Sequence, residues 1–86
     1  SDDQLKGLIE ELRKEIEKIA DEADPELTKK MGKNLVRLSE EASAEEPDKR
    51  WYELSLEGLT EAAEAIGAIA APVLAVVTKL TAFLVG

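Results

Sequence analysis

An apolar repeat through the last part of the chain constrains the fold more than any other feature. Its members follow one another at alternating steps of four and three: Tyr52, Leu56, Leu59, Ala63, Ile66, Ala70, Val73, Val77, Leu80 and Leu84. This spacing is typical of an α-helix that buries one side. Glutamates occupy the opposite side up to Glu64, but no charged residue occurs from Ala65 to Thr78. A helix that is apolar on all sides has to be covered by something other than water.

Two shorter helices precede this repeat. Leu5, Leu12 and Ile16 belong to a first apolar stripe, and Met31 and Leu38 belong to a second, weaker one. Asp24 before Pro25 has the pattern of a helix start, with a capping residue followed by proline. The other connection surrounds Pro47. The sequence therefore predicts three helices, over about residues 3–22, 25–43 and 47–85, in one domain of residues 1–86.

Pro72 lies inside the third predicted helix. The apolar repeat passes through this proline without a change of phase, and no cluster of Gly, Asn or Asp surrounds it. We therefore predict a kink near Pro72 in one long helix, since an interior proline removes one backbone hydrogen bond and tilts the helix. A chain reversal between Gly67 and Pro72, which would give four helices, is the alternative.

The lengths of these helices leave half of the third one uncovered. At 1.5 Å per residue, the first two helices reach about 30 Å and the third about 60 Å. The predicted fold is thus all-α: a helical hairpin packed on a long, proline-kinked third helix, as a three-helix bundle that is oligomeric through the C-terminal helix. The predicted interface between copies is the C-terminal part of the repeat: Ala63, Ile66, Ala70, Val73, Val77, Leu80 and Leu84.

Two alternatives would also cover this segment. Residues 65–86 are about long enough to insert into a bilayer, although Lys79 would lie inside the apolar stretch at a cost of about 2.5–3.5 kcal/mol. A helix of a partner, or the rest of a longer protein, would cover the segment equally well.

Composition argues against several classes of function. The chain has no histidine and no cysteine, which removes the commonest metal ligands and the Ser-His and Cys-His catalytic arrangements. We expect no enzymatic activity, no cofactor and no metal. The net charge of -8 argues against nucleic-acid binding. The absence of cysteine fits a reducing compartment, so a cytoplasmic location is expected.

A second candidate surface is basic and aromatic. Lys29, Lys30, Lys33 and Arg37 lie along one side of the second helix, and Trp51 begins the third. The basic residues either dock an acidic partner or anionic lipid, or they form a solvated face that complements the glutamates of the other helices. Trp51 and Tyr52 are either a binding hot spot or the closure of one end of the bundle.

Glycines interrupt the strong helical pattern at Gly58 and Gly67. The interpretation from the sequence is that each permits the close approach of another backbone, within the chain or from a partner.

The C-terminal part of the chain resembles a known class of module. The residues that carry the resemblance are Lys49-Arg50-Trp51-Tyr52-Glu53-Leu54-Ser55-Leu56-Glu57-Gly58-Leu59, then Glu61-Ala62-Ala63, and then Ile69-Ala70-Ala71-Pro72-Val73-Leu74. They are similar to the C-terminal helical, effector-associated type of module in bacterial multidomain proteins of signalling and conflict (anti-phage) systems. The resemblance covers about residues 49–86 and includes no catalytic motif. It implies an adaptor or oligomerisation module for an effector or sensor domain that is fused or docked N-terminally.

The sequence therefore predicts a non-enzymatic module that brings copies of an attached domain together. Its expected partners are other copies of itself and that attached domain. A membrane-associated element and an adaptor that binds a partner helix are the alternatives.

Overall fold

Four α-helices contain most of the residues that the structure describes. The computed structural model describes residues 2–86. The helices are α1 (Asp2–Ile19), α2 (Pro25–Ala42), α3 (Lys49–Ile66) and α4 (Ala71–Leu84), and a short 3-10 turn (Ala68–Ala70) precedes α4. The predicted all-α class is confirmed, since residues 2–86 contain no β-strand. The first two helices lie close to their predicted ranges, except that α1 ends three residues early.

Aspartates start two of the helices. Asp24 Oδ1 accepts a hydrogen bond from the Glu26 backbone N–H at 2.8 Å, and Pro25 follows in the first turn of α2. Asp48 Oδ1 accepts in the same way from the Arg50 backbone N–H at 2.8 Å. Each carboxylate satisfies a backbone donor that has no partner within the helix. These caps fix the start of α2 and the start of α3.

The prediction of one long kinked helix is wrong. The third helix ends at Ile66, and Gly67 adopts φ 102° and ψ −151°, a backbone conformation that is essentially restricted to glycine. The chain reverses there, and Pro72 lies in the first turn of α4, where its missing N–H costs no helical hydrogen bond. The alternative with four helices is therefore the observed one.

The four helices form an up-and-down bundle. Each helix packs against two others, while α1 and α3, and α2 and α4, lie diagonally opposite one another. The connections are short, so consecutive helices run antiparallel. The bundle measures 36 × 19 × 19 Å. An ion pair of 3.1 Å between Lys79 and Glu11 joins α4 to α1, the last and first helices of the chain.

The apolar repeat forms the core of this bundle. Leu59, Val73 and Leu80 are fully buried, together with Leu12, Met31 and Leu38 from the first two helices. The radius of gyration is 12.0 Å, which equals the value of about 12 Å expected for a compact chain of this length. The chain itself therefore covers the apolar segment that a three-helix arrangement would leave bare.

The side chain of Asn34, on α2, occupies the space beside Gly58 of α3. A Cβ atom at this position would lie 2.5 Å from Asn34 Oδ1, which is much shorter than a van der Waals contact. Asn34 is buried, and its Nδ2 donates a hydrogen bond to the Lys30 carbonyl oxygen at 2.9 Å. The interpretation from the sequence was the close approach of another backbone, and it is corrected for Gly58, because the group beside this glycine is the Asn34 side chain. At Gly67 no atom lies within 4 Å of the position that a methyl group would occupy, so close approach is the wrong explanation there and the backbone conformation is the right one.

Replacing Gly58 with alanine should therefore have opposite effects in two backgrounds. In the natural sequence, Gly58→Ala should lower the free energy of unfolding by about 1 kcal/mol or more, because the new methyl group displaces the Asn34 amide. In an Asn34→Ala background, the same substitution should raise it by about 0.5–1 kcal/mol, because alanine favours the helix over glycine. Urea unfolding followed by circular dichroism measures both values. An effect of the same sign in both backgrounds would contradict the contact.

Candidate interaction surface

The seven residues assigned to an interface between copies all pack within one chain. Ala63, Ala70, Val73, Val77 and Leu80 are buried in the core, and Ile66 and Leu84 pack against it while partly exposed. The chain reversal at Gly67 turns this side of α4 toward α1 and α3. The structure therefore brings the seven together, but the five buried ones do not lie on a surface that a second copy can reach. For these five the predicted interface is corrected.

The membrane alternative treats residues 65–86 as one segment. The structure divides that segment at Gly67 and at the 3-10 turn. Within residues 2–86, no helix has both the length and the apolar character needed to cross a bilayer.

The basic residues of the second candidate surface lie on the outside of α2. Lys29, Lys30, Lys33 and Arg37 are all exposed. Lys30 pairs with Glu61 of α3 at 3.5 Å, as expected of a face that complements glutamates on a neighbouring helix. For Lys29, Lys33 and Arg37, no carboxylate among the described residues lies within ion-pair distance. Three of the four basic residues are thus available to a partner.

The two adjacent aromatic residues have different environments. Tyr52 is buried in the core, whereas Trp51 is 50% exposed at the first turn of α3. The interpretation that both close the end of the bundle therefore holds for Tyr52 only. An exposed tryptophan on a rigid helix has the character of an interface hot spot, because a partner that covers it removes a large apolar area from water.

Trp51 belongs to a wider apolar patch on the α2–α3 side. Val36 is 56% exposed and Leu54 is 48% exposed. Two shallow grooves cover this side, and both are lined by Arg37 and Glu40: one extends to Val36 and the other to Trp51. The surface is therefore continuous from Val36 to Trp51, and Leu54 lies one helical turn beyond Trp51. We call these residues, with Arg37 and Glu40, the tryptophan face.

Sequence reasoning missed Val36 and Leu54 as members of this surface. Both are apolar residues away from the core-facing stripe of their helix, which is the signal that could have found them. A single exposed apolar residue is ordinary on protein surfaces, so neither position was informative before the fold was known. Only the antiparallel packing of α2 on α3 places Val36 and Trp51 on the same side.

Several polar side chains outside these surfaces make contacts within or at the ends of single helices. The Arg13 guanidinium donates a hydrogen bond to Glu10 and holds the pKa of that carboxyl below its ordinary value. This pair spans one turn of the exposed side of α1. Among residues 2–86, no three acidic, histidine or cysteine side chains are close enough together to hold a metal ion. Ser43 Oγ donates to the Ser39 carbonyl oxygen at 3.1 Å, an interaction at the C-terminal cap of α2.

Comparison with protein-family models, with curated proteins and with solved structures finds no match to this chain.

Proposed function

We propose that this chain is a non-enzymatic homo-oligomerisation and protein-interaction module, and that its copies associate through the tryptophan face. The observation that carries the proposal is the exposure of Val36, Trp51 and Leu54 on one side of a bundle that otherwise buries its apolar repeat. Tryptophan and arginine are the residues most enriched at the energetic centres of interfaces, and Arg37 lines the same groove as Trp51.

The role of such an assembly would be to bring copies of an attached domain together. The resemblance of residues 49–86 to effector-associated modules supports an effector or sensor domain as the attached partner. The rigid bundle suits this role, because it holds the tryptophan face in one geometry and little ordering is needed on association. A cytoplasmic location and the absence of nucleic-acid partners belong to the same proposal and rest on composition alone.

The molar mass of the chain tests this proposal directly. Size-exclusion chromatography with light scattering, run over a dilution series, should give an integer multiple of 9.4 kDa that falls to 9.4 kDa on dilution. Trp51 is the only tryptophan, so its fluorescence emission should shift to longer wavelength over the same range of concentration as the copies separate. A mass of 9.4 kDa at every concentration up to the millimolar range would overturn the proposal.

Replacing Trp51 with serine should show whether association depends on the tryptophan face or on any exposed aromatic residue. Loss of a hot-spot residue costs about 2 kcal/mol or more, which is a dissociation constant raised at least about 30-fold. Phe83→Ser is the matched control, because Phe83 is an aromatic residue on α4 that is 36% exposed and lies outside the tryptophan face. Light scattering should show dissociation for Trp51→Ser and the unchanged assembly for Phe83→Ser. Equal effects of the two substitutions would contradict the assignment of the interface.

A further inference from the structure

A third groove lies between α3 and α4 and shares no lining residue with the two grooves of the tryptophan face. Its volume is about 510 Å³, and its floor includes the apolar side chains of Leu56 and Val85. Four glutamates of α3 line it: Glu53, Glu57, Glu61 and Glu64. No lysine or arginine is among the residues that line this groove. The groove therefore combines an apolar floor with a strongly negative rim.

The charges of this rim are largely uncompensated within the chain. Of the four glutamates, Glu61 alone forms an ion pair among the described residues, with Lys30. Lys79 is the only basic residue of α4, and it pairs with Glu11 of α1. Glu53, Glu57 and Glu61 are four residues apart, so they are like-charged neighbours along one side of the helix and disfavour it slightly. A basic helix laid in the groove would relieve this repulsion.

The outer side of α2 carries the complementary pattern. Lys29, Lys33 and Arg37 are also four residues apart, exposed and without a carboxylate partner among the described residues. Four residues advance about 6 Å along an α-helix, so the three positive charges and the three glutamates at 53, 57 and 61 have the same repeat distance. Two such rows can meet in register, with Glu53 and Glu57 unpaired among the described residues and Glu61 shared with Lys30 of its own chain. Val36 and Trp51 lie beside the basic row and can contact an apolar floor.

We propose that α2 of one copy docks in the α3–α4 groove of a second copy. This inference rests on the proposed function, and it identifies the surface of the second copy that receives the tryptophan face. The groove and the basic row share no lining residue, so one copy can use both at the same time. The contact is head-to-tail, and its repetition gives a ring or an open filament in place of a two-fold dimer.

One charge-neutralised variant of each surface tests this geometry. The groove variant is Glu53→Gln/Glu57→Gln/Glu64→Gln, which keeps the Glu61 pair with Lys30. The row variant is Lys29→Gln/Lys33→Gln/Arg37→Gln. Each variant alone should remain at 9.4 kDa where the natural chain assembles. A 1:1 mixture should form a dimer of twice 9.4 kDa and grow no further, because one intact row meets one intact groove.

A matched control accounts for net charge. Asp3→Asn/Asp21→Asn/Glu22→Gln removes three exposed acidic charges, the same number as the groove variant, but from positions outside both surfaces. This control should assemble like the natural chain. Circular dichroism should show that all three variants are folded, since every substitution is at an exposed position.

Cross-linking gives a second, independent measurement. The chain has no cysteine, so single substitutions can report one contact without background. Lys33→Cys and Glu57→Cys, mixed under mild oxidation, should form the mixed disulfide in several-fold excess over either symmetric disulfide. Lys33→Cys mixed with Asp21→Cys should show no such preference.

The outcomes distinguish this inference from the proposed function. If the groove variant assembles like the natural chain, or if the two variants stay monomeric when mixed, the head-to-tail contact is wrong while oligomerisation through the tryptophan face stands. If the symmetric Lys33→Cys disulfide dominates, the contact is two-fold and the groove is not the receiving surface. A natural chain that is monomeric at every concentration overturns the proposed function, and this inference falls with it.

Discussion

Replacing Val73 and Val77 together with aspartate is expected to unfold the chain. Val73 is completely buried and Val77 is 3% exposed, and both lie in the side of α4 that packs on the core. Two carboxyl groups at these positions would have no hydrogen-bond partners, and each would cost several kcal/mol whether it ionises or takes up a proton. A domain of this size has a total free energy of unfolding of about 4–13 kcal/mol. The double substitution should remove the whole free energy of unfolding. Loss of the helical circular-dichroism signal measures this result.

The same double substitution discriminates between two structures of the chain. If these valines formed an interface between copies, the variant would dissociate into folded monomers of 9.4 kDa. If they form the core of one chain, as here, the variant loses its helices. Ala75→Asp/Thr78→Asp is the matched control, because both positions are exposed on the same helix. This control should stay folded, with a loss of about 1.5 kcal/mol or less from helix propensity.

The apolar repeat of α3 and α4 shows what a sequence pattern can determine. It correctly indicated which side of each helix is buried, because a stripe at steps of four and three has only one apolar side. It could not determine whether the helix continues beyond Ile66. The turn at residues 67–70 occupies about as many residues as one helical turn, so the spacing from Ile66 to Ala70 and Val73 is the same in a straight helix and in a reversal.

The signals that favour the reversal were weak ones when read from the sequence. Glycine at position 67 is consistent with a helix end, with a close contact or with a simple interruption. Proline at position 72 is consistent with a kink or with the first turn of a new helix. The lengths of the helices decide between a continued helix and a reversal. α1, α2 and α3 each have 18 residues, and only a reversed α4 can lie beside them as the fourth helix of the bundle.

The candidate surface could be predicted only in part from the sequence. The basic cluster of α2 can be identified from the sequence alone, because four basic residues occur within nine positions. The exposure of Trp51 agrees with the periodicity, since Tyr52 belongs to the apolar repeat and Trp51 does not. A surface shared by two helices depends on how those helices pack, and the α2–α3 contact is made close by a pair, Asn34 and Gly58, that no periodicity identifies.

Replacing Gly67 with alanine is expected to lower the melting temperature by about 5–20 °C. The conformation of Gly67, with φ 102° and ψ −151°, costs a residue with a Cβ about 1–3 kcal/mol, even though there is space for the methyl group. For a domain of this size, 1 kcal/mol corresponds to about 4–8 °C. Gly32→Ala is the matched control, because Gly32 lies within α2 and also has space for a methyl group. That substitution should raise the melting temperature, since alanine favours the helix.

The Gly67→Ala variant should also change its molar mass. Strain in the turn narrows the free-energy gap between the reversal and a straight path from α3 into α4. The apolar repeat continues without interruption along such a straight helix, although Pro72 would then lie in its interior at a cost of about 3 kcal/mol. A straightened chain cannot place α4 on its own α1, so two copies would exchange α4 and form a domain-swapped dimer. Light scattering at increasing concentration should therefore show a larger fraction of swapped dimer for Gly67→Ala/Trp51→Ser, in which the tryptophan face is removed, than for Trp51→Ser alone. An unchanged melting temperature together with a monomeric double variant would show that the reversal does not depend on the conformation of this glycine.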